Sequence, residues 1–198
     1  SYQGKPVTAL AENVFYYAAR YSGVSIKSVS LPASLQTIGN GAFSSTDIKT
    51  ITIPASVTAI GDFAFSGCEK LKTIAVNKNN KNYKSIKGTL YTKNGKTLVA
   101  YPGGRTGALT LPSTVTDIGA YAFYYAKGPS FITANKKLKS IHEGAFGNCA
   151  VKGIRFNGNM PTFEEYALYY CAPVLYYPKK NTTWSTASVP MIRTRSWT

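Results

Sequence analysis

The apolar positions of this chain fall into a block that recurs at a nearly fixed period. Four clear copies read "IGNGAF" (38–43), "IGDFAF" (60–65), "IGAYAF" (118–123) and "IHEGAF" (141–146). Phe43 and Phe65 are 22 residues apart, Phe123 and Phe146 are 23 apart (65−43 and 146−123). Ahead of the first three lie short pieces closed by proline: "SLP", "TIP" and "TLP", ending at Pro32, Pro54 and Pro112. "LAENVF" (10–15) and "FEEYAL" (163–168) are degenerate first and last copies, which makes six.

One unit is "IKTITIPASVTAIGDFAFSGCEK", Ile48–Lys70. "ITIP" alternates apolar and polar, the pattern of a half-buried strand. Pro54 ends it, because proline has no N–H to continue a ladder. Val57 and Ile60 follow as apolar positions, Gly61 permits close backbone approach, and "DFAF" makes a short turn. Such a unit cannot bury a core alone. Stacked side by side, the units can, which predicts a solenoid.

"LPASLQTIGNGAF" and "IPASVTAIGDFAFSGCEKLKTI" strongly resemble the BspA-type leucine-rich repeats of bacterial surface proteins. The resemblance implies a β-dominated α/β fold: a right-handed leucine-rich-repeat solenoid with a parallel sheet of "ITIP" strands on its concave side and short return turns. The expected organisation is one domain over 1–198, with repeats over about 10–178 and a C-terminal cap over 174–198.

One segment breaks the period. Phe65 and Phe123 are 58 residues apart (123−65), and the excess lies in Asn77–Gly107. Within it "GTLYT-KNGK-TLVAY" predicts a β-hairpin around Asn94-Gly95, since both turn residues accept positive φ. Similar insertions occur in the resembled family. The hairpin is expected to decorate the solenoid, either as a brace or as a protrusion offering Tyr91 and Tyr101 to a partner. At the C-terminus, Val174–Tyr177 predicts a last strand. The remainder, with Trp184 and Trp197, predicts a cap over the open end of the stack.

Composition narrows the function. Lys and Arg number 23 against 8 Asp and Glu, giving +15, which attracts anionic partners. Arg supplies only 5 of the 23, so the guanidinium forks that read phosphates and bases are scarce, which argues against nucleic acid. No run of 18 apolar residues is present to cross a membrane. The opening "SYQGKP" lacks both Met and a signal-like apolar run, and is expected to belong to a longer, exported protein.

Catalytic chemistry does not emerge. Cys68, Cys149 and Cys171 all fall three positions after the repeat Phe or Leu, where other copies hold Ala18, Thr46 and Ala126. They are expected to be buried, inert thiols filling one small slot; their odd number and wide spacing argue against a disulfide framework or zinc site. His142, the only histidine, takes the slot of Gly39, Gly61 and Gly119, and no triad partner is placed off the pattern. Glu12, Asp62 and Glu143 share a slot with Asn40, suited to capping the N–H groups of the turn, while Glu164-Glu165 are expected at the surface. "GGRTG" (103–107) lacks the strand-to-helix context of a phosphate loop. No cofactor or metal is implied.

Two patterns remain as binding candidates. Tyr16-Tyr17, Tyr124-Tyr125 and Tyr169-Tyr170 occupy the two positions after the repeat Phe or Leu. Other copies place Ser44-Ser45, Ser66-Gly67 and Gly147-Asn148 there, so the slot is expected to face outward. Tyr124-Tyr125 and Tyr169-Tyr170 would be two aromatic walls about 10 Å apart over the small Gly147-Asn148 floor, holding a sugar ring or peptide, or simply packing along the surface. Lys27, Lys49, Lys72 and Lys152 each follow the first apolar residue of a strand piece. Lys27, Lys49 and Lys72 would form a like-charged column, either solvated or an anion-binding stripe. The resemblance implies a non-enzymatic adhesion module, extracellular or on the cell surface, that presents a repeat surface to a host or bacterial surface protein or glycan. The alternatives are binding to a polyanion (acidic glycan, cell-wall polymer or nucleic acid) and a purely structural spacer.

Overall fold

A computed structural model describes residues 4–184 and 194–197. The chain winds as a β-solenoid with two kinds of strand in each turn. The short strands are β1 (Ala9–Leu10), β2 (Thr37–Ile38), β4 (Ala59–Ile60), β8 (Thr97–Ala100), β10 (Asp117–Ile118), β12 (Ser140–Ile141) and β14 (Thr162–Phe163). The longer strands are β3 (Thr50–Ile53), β5 (Thr73–Val76), β9 (Ala108–Thr110), β11 (Phe131–Ala134), β13 (Gly153–Phe156), β15 (Val174–Pro178) and β16 (Thr194–Trp197). Pairing within both ladders is parallel, with like residues in register: Ile38 beside Ile60, Ile51 beside Ile74, Ile118 beside Ile141, Ile132 beside Ile154. One short helix, α1 (Tyr16–Tyr21), follows the first turn. The "IKSV" piece around Lys27 forms no strand.

The alternation read from "ITIP" is what the sheet uses. In β3 the two Thr are exposed and Ile51 and Ile53 are buried. Most turns also send one aromatic ring inward, with Leu168 in that slot of the last, and these rings stack: Phe15 on Phe43 at 5.2 Å, Phe43 on Phe65 at 5.6 Å, Phe123 on Phe146 at 4.9 Å between centroids. Parallel ladders bury one face of every turn against the interior, so a 22-residue unit gains its core only from neighbours.

Neither ladder runs unbroken. The short strands divide into β1-β2-β4 and β14-β12-β10-β8, the second group continuing into two further strands of the insertion, and the long ones into β3-β5 and β16-β15-β13-β11-β9. The insertion occupies the break. β7 (Thr89–Thr92) and β8 pair antiparallel around Asn94-Gly95, as the dipeptide predicts, and Gly95 has φ +73°. A third strand, β6 (Tyr83–Ile86), extends this into a meander.

The insertion does not protrude, and Tyr91 and Tyr101 are not offered to a partner: they are 1% and 3% exposed. The reason is that β8 is itself a rung, parallel to β10 with Leu98 beside Ile118. Its continuation places Tyr101 in the column of inward rings, 5.0 Å from Phe123. Burial pushes both phenols up, Tyr91 to about 12.

Asparagines brace the proline turns. Fully buried Asn80 donates through Nδ2 to the Pro54 and Val57 carbonyls and accepts from the Asn82 and Tyr83 N–H groups. Asn135 does the same for Pro112 and Val115. The Pro54 and Pro112 carbonyls also accept the Val57 and Val115 N–H groups, whereas for the Val57 and Val115 carbonyls the asparagine amide is the partner among the described residues. At the far end, Trp184 is buried against Phe156 and Tyr177, and the Trp197 indole donates to the Phe156 carbonyl. Of the stretch expected to cap the stack, residues 185–193 and 198 lie outside the described residues.

Candidate functional site: an aromatic groove on the turns

The turns that follow β2, β4, β10, β12 and β14 share one backbone, and the turn after β1 shares its first half. Two residues before the inward ring or Leu168, the chain is left-handed at Asn13, Gly41, Phe63, Tyr121, Gly144 and Tyr166. Two residues after it, the chain is left-handed again at Ser45, Gly67, Tyr125, Asn148 and Tyr170. All eleven φ values lie between 49° and 65°. Gly and Asn accept this region readily; for a residue with a bulky side chain it costs roughly 1–2 kcal/mol. Phe63, Tyr121, Tyr125, Tyr166 and Tyr170 therefore hold aromatic rings where the backbone favours Gly.

These rings gather into separate clusters. Tyr16, Tyr17 and Tyr21 pack on one another along α1. Phe63 stacks on Tyr121 at 3.6 Å, with Tyr124 edge-on to Phe63 at 5.2 Å and Tyr125 4.9 Å from Tyr124. Tyr166, Tyr169 and Tyr170 form the third cluster. Tyr17, Tyr125, Tyr169 and Tyr170 are exposed, as the tolerant slot predicts; Tyr16 and Tyr124 are half-buried.

The structure moves the candidate pocket. A Cβ on Gly147 would meet the Tyr124 ring at 2.4 Å, so Tyr124 already lies on the floor expected to stay open between Tyr124-Tyr125 and Tyr169-Tyr170. The open groove is on the other side. It has a volume of about 750 Å³, within the usual range for ligand sites. Tyr16 and Arg20 stand on one side, Phe63, Tyr124 and Tyr125 on the other, and Ser44, Ser45, Ser66 and Gly67 lie between. Glu12, Asn13, Asn40 and Glu69 add polar groups at its margins.

The insertion makes this arrangement. From Leu98 to Tyr101 is three residues, whereas Ile118 to Phe123 is five, so the β8 rung skips the outward turn. The turns of Phe63 and Tyr121 thus meet directly, around a cavity of about 120 Å³. Elsewhere the N–H groups of this turn donate to the next rung, as Phe43 does to Ala64 and Phe123 to Ala145. Among the described residues, the Phe63 and Phe65 N–H groups have no such backbone partner. Ser66 Oγ, beside the same gap, is buried without a hydrogen bond.

Comparison with known proteins agrees with this architecture. A family model for the BspA type leucine rich repeat region matches six copies, over residues 6–95 and 101–183. The chain belongs to that family. A leucine-rich repeat protein from Eubacterium ventriosum is similar at 32% identity and TM-score 0.71, over 86% of this chain and 45% of its own. A leucine rich cell surface protein from Faecalibacterium prausnitzii shares the fold at 24% identity and TM-score 0.64, over 97% of this chain and 58% of its own. The pneumococcal vaccine antigen PcpA shares it at 17% identity and TM-score 0.57, over 99% and 67%. The chain thus spans about half the length of the first two. No curated protein matches.

The other candidates take their places on this BspA-type frame. Lys49 and Lys72 sit on adjacent rungs, with the Lys72 N–H donating to the Lys49 carbonyl. Lys27, Lys49, Lys72 and Lys152 are exposed, and among the described residues none pairs with a carboxylate. Lys152 is apart from the column, flanked along its ladder by Ser130 and Val174. Glu69 pairs with Lys127 at 2.6 Å, and Asp47 accepts from the Ser25 hydroxyl and pairs with Lys70, which, with a smaller pull from the Lys27 charge, lower its carboxyl pKa.

His142 gains two acidic neighbours that sequence reasoning did not find. Its Nδ1 is 2.8 Å from Glu164 and its Nε2 3.8 Å from Asp117. Glu164 occupies the slot of His142 one rung on, so the contact follows from the repeat. Neither cavity described above reaches this group, and no described cluster of His, Cys, Asp and Glu is placed to hold a metal. The capping slot also works between rungs, not within a turn. Asn40 Oδ1 accepts from the Asp62 N–H, and Glu164, one position off the expected slot, accepts from the Glu143 N–H. Glu143 in turn accepts the Tyr121 hydroxyl proton. Burial and this carboxylate raise the Tyr121 pKa. Among the described residues no helix is long and apolar enough to cross a membrane.

Proposed function

We propose that this chain is a non-enzymatic binding and adhesion module of a bacterial cell-surface or secreted protein, and that its groove takes a neutral saccharide segment of a glycan. The observation that carries the reading is the groove itself: Tyr16 lines it from one rung and Tyr124 and Tyr125 from another, with serines and glycine in the lining between. Pyranose rings present C–H faces that lie flat on aromatic rings, while their hydroxyls need short donors and acceptors. Tyr16, Tyr124 and Tyr125 supply the first; Ser44, Ser45, Asn13 and Asn40 supply the second. Tyrosine suits this use because it offers a large rigid face at small entropic cost.

The groove also lacks the charge that an anionic ligand would seek. Two carboxylates, Glu12 and Glu69, and one guanidinium, Arg20, line it in a protein carrying +15. The family membership and the cell-surface protein among the similar structures support a location outside the cell.

Tyr16→Ser and Tyr125→Ser, separately and together, test the reading on neutral-glycan and protein arrays. The account expects loss of neutral-glycan signal with the fold intact by circular dichroism. Binding confined to proteins would reassign the partner, and no binding at all would leave a spacer. A second reading rests on the exposed Lys27, Lys49 and Lys72: polyanion binding, whose affinity would fall steeply with salt. Retention on heparin that does not change from low to high salt would sink it.

A further inference from the structure

Independently of any ligand, we infer that Cys149 and Cys171 form a disulfide that staples the last two turns of the solenoid together. The two residues occupy the same slot on adjacent rungs. Cys149 N–H donates to the Phe146 carbonyl and Cys171 N–H to the Leu168 carbonyl, equivalent bonds in equivalent turns. The rungs are locked in register beside them, where the Asn148 N–H donates to the Tyr169 carbonyl at 2.7 Å. Adjacent rungs stand about 4.8 Å apart, inside the roughly 4.4–6.8 Å Cα separation that a disulfide spans.

The two Sγ atoms are 2.9 Å apart, pointed at each other. The comparable pair in the N-terminal half, Thr46 and Cys68, keeps 3.5 Å, and Cys68 Sγ turns to the Phe43 carbonyl. The slot that other turns fill with Ala or Thr is therefore used by two neighbouring thiols only here. Cys171 is buried and Cys149 half-buried, so an oxidant reaches Cys149.

The step requires a disulfide oxidant, such as oxidised glutathione or a thiol–disulfide oxidoreductase. The Cys149 thiolate attacks one sulfur of that oxidant, forming a mixed disulfide and releasing one thiolate. The Cys171 thiolate then attacks the Cys149 sulfur and expels the second. The protein loses two protons and two electrons, and the oxidant becomes two thiols. The bridge closes a 22-residue loop (171−149) at the end of the stack.

The test incubates the purified chain with oxidised glutathione and counts thiols after denaturation. The expected result is one remaining thiol of three, a monomer lighter by two hydrogens, and a crosslinked Cys149–Cys171 peptide. The oxidised form should melt about 5–10 °C above the reduced form. Cys68→Ala should keep the bridge and the shift. Cys171→Ala, which restores the alanine of Ala126's turn, should lose both while folding normally. Three titrating thiols after oxidation, a disulfide-linked dimer, or a glutathione adduct that persists on Cys149 would overturn the inference.

Discussion

The turns around Phe43 and Phe65 and the turns around Phe123 and Leu168 follow the same left-handed backbone, yet they carry opposite side chains. The first pair uses Gly41, Ser45 and Gly67, with Phe63 its one aromatic; the second uses Tyr121, Tyr125, Tyr166 and Tyr170. The rung geometry therefore dictates φ and leaves the side chain free. Where glycine is used, the turn is relaxed and forms a floor. Where tyrosine is used, the turn holds strain and presents a ring. Strain at exposed aromatic positions points to a role at the surface, since packing does not require it.

Four experiments would break or sharpen this contrast. The largest effect lies beneath the turns. Phe123 is stacked on both faces, by Tyr101 and Phe146, whereas Phe65 stacks on Phe43 and lines the seam cavity. Phe123→Ala should cost about 3–5 kcal/mol in urea unfolding, and Phe65→Ala measurably less. Equal losses would show that the seam packs as well as a regular rung.

Asn80→Ala comes next. It removes two donors from the Pro54 and Val57 carbonyls and the acceptor for two N–H groups. A cost of about 2–4 kcal/mol is expected by the same measurement, because the insertion would lose its hold on the preceding rung. Tyr170→Gly has the opposite sign. Tyr170 is 77% exposed at φ +49° and lies outside the groove. Its replacement should raise stability by about 0.5–1 kcal/mol and leave glycan-array signals unchanged. Smallest is Lys49→Gln with Lys72→Gln, a rise of at most about 0.5 kcal/mol at low ionic strength that vanishes as salt screens the column.

Much of this was legible in the residues. The spacing of Phe43, Phe65, Phe123 and Phe146 places the rungs, and Asn94-Gly95 places the hairpin. What escaped was the role of the insertion. A period count treats Asn77–Gly107 as excess, but Leu98 and Tyr101 carry the apolar slots of a rung in compressed form. Without that rung, spacing along the chain pairs Tyr124-Tyr125 with Tyr169-Tyr170 and points to Gly147-Asn148 as the floor. Read with the insertion skipping the outward turn, the slots run Tyr16-Tyr17, Ser44-Ser45, Ser66-Gly67, Tyr124-Tyr125, and the groove follows. Asn80 escaped because a lysine- and asparagine-rich stretch reads as solvated loop, whereas its buried amide meets the Pro54 and Val57 carbonyls.

The central claim is that Tyr125 holds a strained backbone in order to wall the groove. The most direct test is the Tyr125→Gly variant, carried through thermal melting and a neutral-glycan array together. Removing the side chain from a left-handed residue should raise the melting temperature by about 2 °C while abolishing glycan binding. A melting temperature that falls, with glycan binding unchanged from the parent chain, would contradict the account.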